Sequence, residues 1–205
     1  MVISETKVIK EDTHWNATHI MCEFSASSLG DYCIQVEPNV TLTIENSWVE
    51  GFGSKCINIR GGALNLNMVT MDKCNGGIRA EESRIFFNYT MLYGSEGDVG
   101  VGLYSGSILL NNYSYFMTNS FQSAVLSSID SEFDLRKATF MSNEIGVGVI
   151  ITSDSSGIID GSSFYGNTGG PDFIHQCSNE GRTLILSNNI KLQDIADNGG
   201  CKVIT

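Results

Sequence analysis

The sequence is short of proline, with 2 residues, and short of charge, at 17% against a globular average of about 25%. No apolar run approaches the ~18 residues that would suggest a membrane span. No window of a dozen residues keeps a 3.6-residue apolar period, which excludes helical repeats such as ankyrin, and the leucine-rich signature does not recur. Basic residues are few: 12 against 23 acidic ones gives a net charge of −11, which argues against a nucleic-acid phosphate partner. There is no Cys-x-x-Cys, so a zinc site is not expected. His14, His19 and His175 form neither a nucleophile–His–acid order nor a metal-binding spacing. The first residues, Met1 to Lys7, hold no apolar stretch that would read as a secretory signal.

What is present is 22 glycines, many Asn, Ser and Thr, and 41% hydrophobic residues, the composition of stacked short strands and turns. Three Phe-x-x-Asn motifs stand out: Phe116 with Asn119, Phe140 with Asn143, and Phe164 with Asn167, at spacings of 24 residues. Carrying that register outward places apolar anchors at Phe24, Trp48, Met71, Leu92 and Ile190. Ahead of the anchors lie period-2 alternations such as Leu42-Thr43-Ile44 and Phe133-Asp134-Leu135. After them come second runs such as Cys56-Ile57-Asn58-Ile59.

One such coil cannot bury its own apolar face, so the coils must stack at ~4.8 Å. The fold expected is all-β, a right-handed single-stranded parallel β-helix of about seven coils, with residues 1–205 forming one domain. The chain closes on Val203-Ile204-Thr205 without a polar cap, which reads as a segment of a longer protein whose open coils invite end-to-end association. The Asn residues of the three motifs fall at turns, where Asn tolerates the left-handed conformation and can ladder with its neighbours.

The order Phe-x-x-Asn, spacer, Gly and aliphatic run is clearest in Phe140 to Ile150. It resembles the repeats of polymorphic outer-membrane proteins and related pectin-lyase-like β-helix modules. The resemblance implies a secreted or surface-displayed stalk or adhesin, with a polysaccharide or a cell-surface protein as partner. It covers most of the chain but rests on three good motifs. The Gly-Gly-Ala element survives intact only at Gly61-Gly62-Ala63-Leu64, ahead of a different strand.

The resemblance also raises an enzyme as the alternative, a polysaccharide lyase or glycoside hydrolase. Counting back from each alternating strand gives Glu82, Ser105, Asp130 and Asp154. Asp130 and Asp154 would stack as neighbours, reading either as solvated turn acids or as a shared calcium site. No catalytic residue is assigned, and calcium is the one cofactor considered. Coil lengths of 21 to 26 residues leave little room for the long loops that wall a catalytic cleft, which favours a non-catalytic, glycan-binding or adhesive module. Tyr104, Tyr113 and Tyr115 are the aromatics expected at such a surface.

Six cysteines allow 15 pairings. Cys33 and Cys56 are 23 apart, and Cys177 and Cys201 are 24 apart, so each pair would stack in adjacent coils, as bridges or as buried thiols. Four sequons, at Asn16, Asn39, Asn88 and Asn112, suit a secreted protein.

Overall fold

A computed structural model describes residues 1–23, 32–178, 182–192, 195–197 and 202–205. Among them every regular element is a β-strand, and every strand pairing is parallel, forming a β-solenoid of about seven turns of ~24 residues. The strands make a 15-stranded sheet and a 10-stranded sheet. The larger one bends into two faces, because Ala63–Asp72 pairs through its first half with Arg84–Asn88 and through its second with Met91–Tyr93. The cross-section is therefore a three-sided coil with three corners.

Each corner is turned by one residue with positive φ, repeated from coil to coil. Glu82, Ser105, Asp130 and Asp154 turn the first; Asn46, Met68, Tyr89, Tyr113 and Lys137 the second; Lys73, Gly94, Thr118 and Ser142 the third. Left-handed backbone is disfavoured for L-residues, and the stack over-determines it here. At all three corners the turning residue donates its N–H to a carbonyl one coil away in most coils, as Asp130 does to Ser153 at 2.9 Å and Thr118 does to Met141 at 3.0 Å.

Just inside each corner sits a small polar residue that caps an N–H of the preceding coil. At the first corner, Ser155 Oγ accepts from the Ser131 N–H at 3.2 Å and Ser107 Oγ from the Ser83 N–H at 3.1 Å. At the third, Asn119 Oδ1 accepts from the Ser95 N–H, Asn143 from Asn119 and Asn167 from Asn143, at 3.0 to 3.1 Å. The three Phe-x-x-Asn asparagines are thus structural, and Asn119 and Asn143 are buried. In three coils the second corner reads Asn, then a left-handed residue, then Ser or Thr: Asn16-Ala17-Thr18, Asn88-Tyr89-Thr90 and Asn112-Tyr113-Ser114. Three of the four sequons, at Asn16, Asn88 and Asn112, lie on this column, where Asn88 Nδ2 donates to Asn67 Oδ1 at 2.9 Å. The sequon pattern therefore follows from how this corner is built.

The core is a continuous set of inward columns. Phe116, Phe140 and Phe164 stack face to face with centroids 4.8 and 4.9 Å apart. Continuing that column, Leu92, Met71, Val49 and Ile20 occupy the equivalent positions. The expected anchor Trp48 is thereby corrected by one residue, to Val49, and Ile190 falls outside the column. Trp48 pairs with Thr70 and is 47% exposed, and Ile190 bridges Ser163 and is 52% exposed. With a side-chain period of two, a slip of one turns the side chain outward. The anchor expected at Phe24 lies outside the described residues.

The disulfides also differ from the expected stacking. Cys33 bonds Cys22 and Cys56 bonds Cys74, each with Cα atoms 5.7 Å apart, so the first bridge joins the two sheets, the second ties the 10-stranded sheet to the corner segment after Ala63–Asp72, and Cys33 is not linked to Cys56. Stacked residues in register send parallel Cβ bonds into the core, whereas residues on faces that meet at a corner send converging ones. Cys177 is disulfide-bonded, and Cys201 lies outside the described residues.

Candidate functional site

The outer face of the 10-stranded sheet is concave. Two adjoining cavities of about 510 and 290 Å³ share Asn75, Gly97 and Gln122 and form one groove along the coil axis. Its smaller end is lined by Tyr32, Lys55, Arg79 and Tyr104, contributed by successive coils. Lys55 Nζ lies 5.4 Å from the centre of the Tyr32 ring, and the Arg79 guanidinium 4.9 Å from that of Tyr104. Tyr104 lies flat because Gly102 leaves room: a Cβ there would stand 2.7 Å from the ring. Burial pushes both phenols above their ordinary values, against the pull of Arg79, so both remain hydrogen-bond donors at neutral pH.

Among the described residues, neither phenol oxygen and neither cation has a hydrogen-bond or carboxylate partner. The larger end is marked by Glu96 and Glu144, exposed and two rungs apart with Ser120 between them. At ~4.8 Å per rung their backbones are roughly 10 Å apart. The groove thus offers free donors at one end, carboxylate acceptors at the other, and aromatic rings on its floor.

Of the residues singled out in the sequence, Tyr104 lies in this groove. Tyr113 lies at the second corner, stacked on Tyr89 with centroids 5.2 Å apart and Lys137 over its ring at 4.4 Å. Tyr115 is exposed on the short-strand face. Asp130 and Asp154 do fall in one column at the first corner, with Glu82 and Ser105. Each has a separate partner: Asp130 pairs with the Arg182 guanidinium, while Asp154 Oδ1 accepts from the Ser178 N–H at 2.7 Å and hydroxyl at 2.9 Å. Among the described residues no group of three or more His, Cys, Asp or Glu side chains is placed to hold a metal ion.

Sequence reasoning missed a second polar constellation. Glu50 and Asp72 stack in register and are both buried. Lys73 Nζ donates to Glu50 Oε1 at 2.6 Å, and His19 Nε2 lies 3.2 Å from Glu50 Oε2 while its ring stacks on Trp48. The Lys73 hydrogen bond holds Glu50 below the usual carboxylate range, whereas burial pushes Asp72 above it. Asp72 Oδ1 has no partner among the described residues. The one signal in the sequence was the 22-residue step between two acids that both end apolar strands.

No family model matches the chain. No curated protein matches it. Among solved structures it is similar to a trypsin-treated form of QnrB1, described as a plasmid-mediated fluoroquinolone resistance protein. The identity is 10%, the alignment covers 97% of this chain and 92% of that one, and the TM-score is 0.32. A likeness at that level bears on neither family nor activity.

Proposed function

We propose that this chain is a non-catalytic β-solenoid module of a secreted or cell-surface protein, binding an extended saccharide along the groove of its 10-stranded face. The observation that carries the reading is the convergence of Tyr32, Tyr104, Lys55 and Arg79, whose donors have no acceptor among the described residues, on a groove that continues past Gln122 to Glu144. Polar groups placed around aromatic rings in a long shallow groove suit a hydroxyl-rich chain, which is apolar on its ring faces and polar at its edges. The disulfides support an oxidising compartment, and so does the resemblance of the Phe-x-x-Asn repeats to polymorphic outer-membrane proteins.

The test is a glycan array probed with wild type and with Tyr32→Ala/Tyr104→Ala, bound and released saccharide being sized to register any cleavage. Retention of one or more saccharides by wild type, lost in the variant and recovered at unchanged length, is the expected result. Release of shortened or unsaturated products would favour the lyase or hydrolase alternative. Equal retention by both proteins would remove the groove from the account.

A further inference from the structure

The basic residues are unevenly used. Arg60, Lys73, Arg136 and Arg182 each sit within 4 Å of a carboxylate. Lys55 and Arg79 do not, and among the eight of the 12 basic residues without such a partner among the described residues they are the two that line the groove. Both are fixed by aromatic and aliphatic contacts instead. Each lies over a tyrosine ring, and Lys55 Cγ packs where a Cβ on Gly76 would stand 3.5 Å away. Holding the stems this way leaves the N–H groups directed at the groove. The carboxylate that lines the same cavity, Asp98, is engaged by the Ser123 hydroxyl.

We propose that the saccharide held in this groove is anionic, with a sulfate or carboxylate seated between Lys55 and Arg79 and within reach of the Tyr32 and Tyr104 hydroxyls. The inference rests on the saccharide reading above. Four donor groups lacking acceptors are what an oxyanion completes, and charge-assisted hydrogen bonds of this kind are the stronger sort. A uniformly acidic protein would otherwise repel such a chain, so two uncompensated cations set its position along the groove.

The experiment is calorimetric titration on matched backbones, dextran and cellulose, each as a neutral derivative, a sulfate ester and a carboxymethyl ether. Wild type is compared with Lys55→Ala/Arg79→Ala and with Lys137→Ala/Lys191→Ala, a control pair on other faces of the coil. On at least one backbone a charged derivative should bind about tenfold or more tighter than its neutral parent. That preference should weaken with added salt, vanish in the Lys55/Arg79 variant and persist in the control. Whichever derivative binds tighter identifies the anion as sulfate or carboxylate. Neutral and charged chains binding alike would overturn the inference while leaving saccharide binding intact. So would a charge preference that survives in the Lys55/Arg79 variant. Binding of no charged derivative overturns the inference too, and the glycan array then decides separately whether a saccharide is bound at all.

Discussion

Asn143 Oδ1 accepts two hydrogen bonds from Asn119, one from its side-chain amide at 2.9 Å and one from its backbone N–H at 3.1 Å. Asn143 Nδ2 in turn reaches the Phe116 carbonyl at 2.9 Å. Replacing Asn143 by Ala strands buried groups on two coils at once, so Asn143→Ala should cost about 2–4 kcal/mol, measured by urea unfolding. Asn143→Asp keeps the acceptor but not the donor, and should also destabilise. A loss below about 0.5 kcal/mol for the alanine variant would mean that the ladder does not hold the coils.

The core column containing Phe133 and Gly157 balances a large residue against an absent one. A Cβ on Gly157 would lie 2.2 Å from the Phe133 ring, so Gly157→Ala should destabilise by roughly 1–3 kcal/mol through overpacking. Adding Phe133→Leu should recover part of that loss. The sign of the coupling in this double-mutant cycle is the check, since non-interacting sites would simply add.

Glu50 and Asp72 pull stability in opposite directions with pH. Asp72 has its carboxyl raised by burial, so its favourable contribution is fully present below the unfolded-state value and is lost as pH rises through the folded one. Glu50, held low by Lys73, contributes above the unfolded-state value and loses that contribution as pH falls. Asp72→Asn should therefore be more stable than wild type at neutral pH, with the advantage disappearing in acid, as read from melting temperatures across pH. Glu50→Gln should be less stable at neutral pH, and the two should converge in acid.

The bridge between Cys56 and Cys74 closes 18 residues and that between Cys22 and Cys33 closes 11. Chain-entropy reasoning assigns each about 3 kcal/mol, with the longer loop slightly ahead. Paired alanine variants, Cys56→Ala/Cys74→Ala and Cys22→Ala/Cys33→Ala, should each lose a comparable amount in denaturant titrations. Loss from only one would mark the other as strain-neutral.

The coil repeat was legible because Phe116, Phe140 and Phe164 must stack in one column, and equal spacing is the direct consequence of that stacking. Where the column is filled by Val49 or Ile20, no distinctive residue type marks it, and the larger neighbour Trp48 drew the register off by one. The bridges were not legible because periodicity reports which residues stack, not which converge across a corner. Asp130 and Asp154 were placed in their column correctly, but their partners Arg182 and Ser178 come from later coils by a route that spacing does not encode. The groove was hidden for a related reason. Tyr32 and Lys55 are in register, but Arg79 and Tyr104 sit at other positions of the next two coils, and only the side chains lying over one another bring the four together.

Where a saccharide sits on the solenoid is the decisive measurement. A structure of the protein with a bound array hit should place the sugar chain along the 10-stranded face, within hydrogen-bond distance of Tyr104, Arg79 and Gln122. A chain lying instead on the Tyr89 and Tyr113 corner or the Trp48 face, with the groove empty, would contradict it.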